Sequence, residues 1–197
     1  LLAATGGTPT QLPVETTDAD GINHFWPFED ARAIREVAAE ADSGIVVGAG
    51  LLGIDLAAVC AAQGLDAHYL MRGDRWWRYA LSLEGAELIH DALEEKGLTP
   101  VFAPGVDRFE VDDEGHVETA VDPNGHRYAG EFCGVAIGLD FTTEWLEGSG
   151  VGRDDGNVVH QHMPRRPHHI YAAGLTNGHQ TTPARRTGRN GRAGEGT

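Results

Sequence analysis

Residues 45–75 read IVVGAGLLGIDLAAVCAAQGLDAHYLMRGDR. A short apolar run leads into Gly48, Gly50 and Gly53, and an apolar helical pattern runs from Leu51 to Gln63. Gly64 stands where a helix C-terminus favours glycine, and "AHYLM" follows as a second strand. In such a strand–turn–helix–strand unit each glycine has a physical task. Gly48 permits the tight turn, Gly50 lets the backbone approach a pyrophosphate, and Gly53 lets the helix pack close to the strand. The phosphates then meet the free N–H groups of the first helical residues, Leu51 and Leu52, at the positive end of the helix dipole. The glycine spacing alone is a weak signal, and the flanking strand and helix give it weight.

Outward from this unit the elements alternate. Residues 28–41, FEDARAIREVAAEA, place Phe28, Ala31, Ile34, Val37 and Ala38 at helical spacing, with Pro27 suited to the start. Ser82 can cap a helix carrying Leu88, Ile89, Ala92 and Leu93 on one side, closed by Gly97. "GIVVG" and "LTPVFA" read as buried strands. Right-handed crossovers between them predict an α/β fold, a Rossmann-type parallel sheet with helices on both faces. The rhythm then changes to short alternating segments, VDRFEV, HVETAV and HRYAGEF, separated by the turns DDEG and DPNG, which predict an antiparallel β-meander. "CGVAIG" and "HIYAAG" are two more strands, and residues 179–197 read as a basic, loosely ordered tail.

Thirty acidic residues oppose fifteen basic ones, for a formal charge of −15, and Lys96 is the sole lysine. Phosphates would meet like charge over most of this surface, so nucleic acid and anionic membrane are not expected partners. The balance suits a salt-rich cytoplasm and predicts a halophilic source. The apolar stretch at residues 44–54 is too short to cross a bilayer, and no signal peptide is visible. A cytoplasmic location follows as an expectation, and because residue 1 is not Met, residues before Leu1 are expected to be missing. Cys60 and Cys133 form no CxxC and read as small core residues.

The second strand ends in Met71 and Arg72, where NAD-binding chains place an acidic residue for the adenosine ribose. Arg72, Arg75 and Arg78 follow within one loop and would hold the extra phosphate of NADP, since guanidinium forks match phosphate oxygens. Two readings compete: Asp74 reaches the ribose of NAD, or the arginines neutralise an acidic surface. Trp76 and Trp77 could stack on an adenine or stiffen a subunit contact, which makes a homodimer one candidate assembly. His160, His162, His168, His169 and His179 have few carboxylates nearby and read as surface histidines, so no metal is expected.

The composite of LLAATGGTPTQLPV, FWPFEDARAI, the Gly48–Gly53 unit, GVAIGLDFTTEWLEGSGV and PHHIYAAG resembles the two-domain FAD-dependent pyridine nucleotide-disulfide oxidoreductase family, up to about Gly178. The resemblance implies an NAD(P)-binding domain at 21–140 inserted into FAD-domain pieces at 1–20 and 141–178. It places Thr5 and Gly6 beside the flavin, Gly138 in a second turn near the bound nucleotide, and Asp55 where the family often has Glu beside the nicotinamide. Gly174 falls in the family's AAGD turn, where Leu175 replaces the aspartate that accepts hydrogen bonds from the flavin's ribityl-phosphate region. The family's first strand-GxGxxG-helix unit does not precede Leu1, so this stretch is not expected to hold FAD tightly by itself.

The resemblance implies hydride transfer from NADPH or NADH to flavin and on to an open acceptor, with a redox protein one candidate. The alternative is a module that binds or senses NAD(P) without turnover.

Overall fold

The computed structural model describes residues 2–149 and the short strands at 153–154, 157–159, 171–172 and 177–178. Contacts divide the chain into two units, residues 8–140 and residues 1–7 with 141–197. Gly174, Leu175, the five histidines from His160 to His179 and the tail at 179–197 lie outside the described residues.

The chain opens with β1 (Leu2–Ala3) and β2 (Gly7–Pro9), and the larger unit then builds four strands and three helices. In order these are β3 (Ile22–His24), α1 (Phe28–Ala38), β4 (Ser43–Val47), α2 (Leu51–Gln63), β5 (Asp66–Met71), α3 (Leu83–Glu94) and β6 (Leu98–Phe102). Pro27 starts α1 with its fixed φ of −72°, and Glu29 and Asp30 favour the positive end of the helix dipole. Gly64 ends α2 in the left-handed conformation, φ +77°. The Ser82 hydroxyl accepts the Gly85 N–H at the start of α3, a cap worth about 1 kcal/mol.

An antiparallel meander follows: β7 (Arg108–Val111), β8 (Val117–Val121) and β9 (Arg127–Ala129). Both of its turns are nucleated by aspartates. Asp112 Oδ1 accepts the N–H groups of Glu114 and His116, and Asp122 Oδ1 those of Asn124 and His126. β10 (Phe132–Val135) then returns to the centre of the sheet, giving the order β3-β10-β4-β5-β6. The chain leaves this unit within β11 (Leu139–Phe141).

The expected α/β class, parallel sheet and meander are present, but helices do not cover both faces. All three described helices pack on one face, against Val46, Ala67, Tyr69, Met71 and Phe132. The meander covers the other, where Phe109, Val117 and Ala120 meet Ile45, Val47, Leu70, Cys133 and Val135. Handedness is the reason. The chain steps from β3 to β4, β5 and β6 in one direction, so right-handed crossovers put every helix on the same side. The return to β10 reverses that direction and carries the meander to the opposite side.

Two helix faces are also rotated from expectation. Phe28 is exposed because it lies about 100° around α1 from the centre of the Ile34–Ala38 stripe at 100° per residue. In α3 the buried side chains are Ala86 and Leu93, with Ile89 half-buried, while Leu88 and Ala92 face solvent.

In the smaller unit β1 runs parallel to β14 (Tyr171–Ala172), and β13 (Asn157–Val159) pairs with β12 (Arg153–Asp154) and β15 (Asn177–Gly178). The Thr5 hydroxyl donates to the Thr142 carbonyl at 2.7 Å, beside Gly6 at φ +66°.

Candidate functional site

In the order of the parallel sheet, β4 connects onward to β5 on one side and has β10 on the other. That is a topological switch point, where the carboxyl ends of parallel strands leave a crevice for a ligand. A cavity of about 840 Å³ lies there, within the larger unit. Its floor is Val47–Leu52, one wall is Leu70–Arg72 with Trp77–Tyr79, and the other is Ala136–Gly138 with Ala103–Val106 and Leu12–Pro13.

The three glycines of the turn are required for different physical reasons. A Cβ on Gly48 would stand 2.1 Å from the Ala136 carbonyl oxygen, and φ is +132°. A Cβ on Gly53 would stand 1.9 Å from the Gly48 oxygen and 2.7 Å from the Tyr69 hydroxyl. A Cβ on Gly50 would meet nothing within 4 Å. Gly48 and Gly53 are therefore demanded by packing, whereas the space at Gly50 is left open. Gly50 is also the N-cap of α2, with no side chain capping the helix and no acidic residue in its first turn. Helix N-terminal donors at an open cavity suit an anion.

Tyr69, buried beneath this turn on β5, has its phenol pushed well above the ordinary range by burial, with the Trp76 side chain opposing. It stays neutral there. Burial likewise raises the Cys60 thiol to about 11 and pushes the Cys133 thiol up, so both are inert core residues, as their sequence context predicts.

The arginines separate into two roles. Arg72 and Arg78 line the cavity and are exposed. Arg78 donates to the Tyr79 hydroxyl at 2.8 Å and lies over that ring at 4.9 Å, which lowers the Tyr79 pKa. Arg75 is turned inward and fastens the loop: its guanidinium donates to the carbonyls of Leu81 and Arg78 and to Asp74 Oδ2. Asp74 is thus occupied by Arg75, and neither is among the lining residues.

Met71 is buried at the end of β5 with its surface on the cavity. Trp77 lines the cavity, while Trp76 is buried and donates its indole N–H to the Gly50 carbonyl at 3.4 Å. Gly138 lines the far end at φ +133°. Asp55 is exposed on α2 and outside the lining. Thr5 and Gly6 belong to the smaller unit and are not in this cavity. Leu12–Pro13 belong to the LLAATGGTPTQLPV stretch, whereas the wall at Ala103–Val106 has no sequence motif of its own. The Pro104–Gly105 pair after a parallel strand was the available signal, because loops at strand carboxyl ends line such crevices.

Among the described residues one group of possible metal ligands converges, Asp112, Glu114 and His116, in an exposed turn of the meander. No described helix is long and apolar enough to cross a membrane.

Fold, switch-point cavity and glycine turn define a Rossmann-type α/β domain. The chain belongs to the pyridine nucleotide-disulphide oxidoreductase family, whose pattern matches residues 1–188. It is 27% identical over 182 residues to the assimilatory nitrate reductase electron transfer subunit of Bacillus subtilis (strain 168), covering 92% of this chain and 23% of that protein. It is 26% identical over 174 residues to rhodocoxin reductase of Rhodococcus erythropolis, covering 88% of this chain and 40% of that one. Among solved structures, the NAD-dependent persulfide reductase from A. fulgidus superposes with a TM-score of 0.77 at 28% identity, over 88% of this chain and 32% of its own. The chain thus spans well under half the length of the relatives it matches.

Proposed function

We propose that residues 8–140 bind the pyridine dinucleotide of an FAD-dependent NAD(P)H oxidoreductase, with NADP preferred to NAD. The observation that carries this reading is the open approach at Gly50 in front of the uncapped N-terminus of α2. No side chain caps that end, and no acidic residue stands in its first turn. The backbone N–H groups of Leu51, Leu52 and Gly53 would hold the diphosphate, Arg72 and Arg78 a 2′-phosphate, and Met71 and Trp77 the adenine side. Gly138 would leave backbone room at the nicotinamide end. Asp55 is the candidate carboxylate near the reacting ring.

The arrangement of residues 1–20 and 141–178 as FAD-domain pieces around the inserted domain at 21–140 is part of this proposal; the contact units support it for residues 1–7 and from 141 onward, whereas residues 8–20 group with the larger unit. Thr5, Gly6 and Gly174 are its candidate flavin neighbours. A Cβ at Gly6 would meet nothing within 4 Å, so that turn leaves room for a bound group. Bound FAD would supply the hydride-accepting and electron-relaying chemistry. This chain's own part is to bind the dinucleotide, orient it and exclude water. The acceptor proposed is a redox protein, as the names of the nitrate reductase electron transfer subunit and rhodocoxin reductase suggest for those proteins. A halophilic cytoplasm is proposed from the −15 charge, and a homodimer as the assembly.

The test is a visible spectrum of the purified protein during titration with NADPH and then NADH. Because this stretch is not expected to hold FAD tightly by itself, FAD is added, and flavin absorption that bleaches with either nucleotide is the expected result. A chain that binds NADPH but leaves the added FAD unbleached would instead identify a non-catalytic nucleotide module. Equal affinity for the two nucleotides would remove the NADP preference.

A further inference from the structure

The loop at residues 72–82 supplies one wall of the cavity; Arg75 ties it to itself through the Leu81 and Arg78 carbonyls, and its tip is exposed. Tyr79 is 85% exposed, and Arg78 pairs with Tyr79 rather than with the body of the domain. Three hydrogen bonds from Trp76 and Trp77 join the loop to its surroundings. The Trp77 N–H donates to the Ala49 carbonyl at 3.2 Å, and the Trp76 indole donates to the Gly50 carbonyl, so both reach the glycine turn itself. The third comes from the opposite side: the Trp76 N–H donates to Nε2 of His90, at 3.1 Å, from α3. His90 in turn packs on Phe102 of β6, ring centroids 5.1 Å apart, and does not line the cavity.

What that third bond holds is a strained residue. Trp77 is the one described non-glycine residue at positive φ, +45°, a conformation a bulky side chain keeps only when its neighbours enforce it. The two peptides that precede this residue are each fixed, the Arg75–Trp76 peptide by His90 Nε2 accepting the Trp76 N–H and the Trp76–Trp77 peptide by the Ala49 carbonyl accepting the Trp77 N–H. Between these anchors Trp77 is turned onto the cavity. A ring nitrogen that accepts a backbone N–H carries no proton of its own, so the proton of neutral His90 sits on Nδ1.

We propose that His90 is a positioning residue for the nucleotide: its Nε2 holds the Trp76 amide, and through it the Trp77 turn that walls the adenosine side of the cavity. The inference rests on the dinucleotide reading above, and it adds a residue that is distant from the glycine motif in sequence and never touches the ligand. Without the acceptor, the Trp76 amide has no partner, Trp77 relaxes from positive φ, and the wall moves off the adenosine side while the diphosphate cradle stays intact.

The experiment compares His90→Phe, which keeps an aromatic ring against Phe102 but has no acceptor, with His90→Gln, whose side-chain oxygen occupies nearly the place of Nε2. Binding of NADPH, of 2′-phospho-AMP and of reduced nicotinamide mononucleotide is measured by calorimetry on the full chain. His90→Phe is expected to weaken NADPH and 2′-phospho-AMP about tenfold, the scale of one lost hydrogen bond, and to leave the mononucleotide unchanged. His90→Gln is expected to restore affinity to within about twofold. A merely structural histidine would weaken all three ligands together or none. Hydrogen exchange covers the case of a poorly folded variant: His90→Phe should speed exchange of the peptide spanning residues 72–82 and spare α2 and β5. Wild-type affinity in His90→Phe, failure of His90→Gln to restore it, or exchange that rises throughout the domain would each overturn the role of His90 while leaving nucleotide binding standing. No binding of any nucleotide to the unsubstituted chain would overturn the underlying reading as well, even if the exchange result came out as expected.

Discussion

The glycine turn at residues 48–53 and the loop at residues 72–82 face the same cavity and are built by opposite means. The turn is specified by missing side chains. At Gly48 and Gly53 any Cβ would strike backbone within about the length of a covalent contact, so the turn has one arrangement and no slack. The loop is specified by hydrogen bonds that arrive from elsewhere, from Ala49, Gly50 and His90, and its tip pairs mainly with itself. On the proposed reading, a rigid cradle for the part of the ligand that every pyridine dinucleotide shares would stand beside an adjustable wall for the part in which NAD and NADP differ.

The largest effect should break the cradle. Gly48→Ala must displace the Ala136 carbonyl and hold positive φ, and should destabilise the domain by about 3 kcal/mol or more, read by urea denaturation. A midpoint like that of the unsubstituted chain would mean the turn has slack after all. Gly50→Ala sharpens the contrast within the same turn. Its Cβ has free space, so stability should stay within about 0.5 kcal/mol, while NADPH affinity falls about thirtyfold, near 2 kcal/mol, because the methyl group occupies the phosphate's approach.

On the wall, Arg72→Ala with Arg78→Ala should lower NADPH affinity about tenfold and leave NADH within twofold, since only one nucleotide carries the phosphate these guanidinium groups would hold. The ratio of the two dissociation constants is the measurement. The smallest change is Arg75→Ala, which removes bonds internal to the loop. It should reduce stability by about 1 kcal/mol and weaken both nucleotides equally. A selective loss of NADPH in that variant would return Arg75 to the phosphate site.

What could be read from the sequence follows the same division. The strand, the glycines, α2 and Gly64 are written in adjacent residues, so periodicity and glycine spacing locate them. The roles of the three arginines are not. Arg72, Arg75 and Arg78 look equivalent in the sequence, and Arg75 is distinguished only by where the Leu81 and Arg78 carbonyls fall. His90 has no local signature, because its partner is the backbone of a residue in another element. The helix-bearing face was hidden for a related reason: side-chain periodicity says that a helix packs on the sheet, but the order in which strands join says on which side. Leu88 was assigned to the buried side from its apolar character, whereas Ala86 and Leu93 set the stripe and leave Leu88 in solvent.

The late arrival of β10 has a consequence for how the molecule is made. Ile45 pairs with Cys133, and Ile22 pairs with that same residue from the other side. A ribosome therefore delivers both outer neighbours long before the strand that belongs between them. Until Val135 emerges, β3 and β4 have an unfilled slot along one edge each, and exposed edges of apolar strands invite pairing with other chains. Assembly must await the final piece of the sheet, which makes for slow, all-or-nothing folding and makes any nascent chain halted short of Phe132 a seed for aggregates.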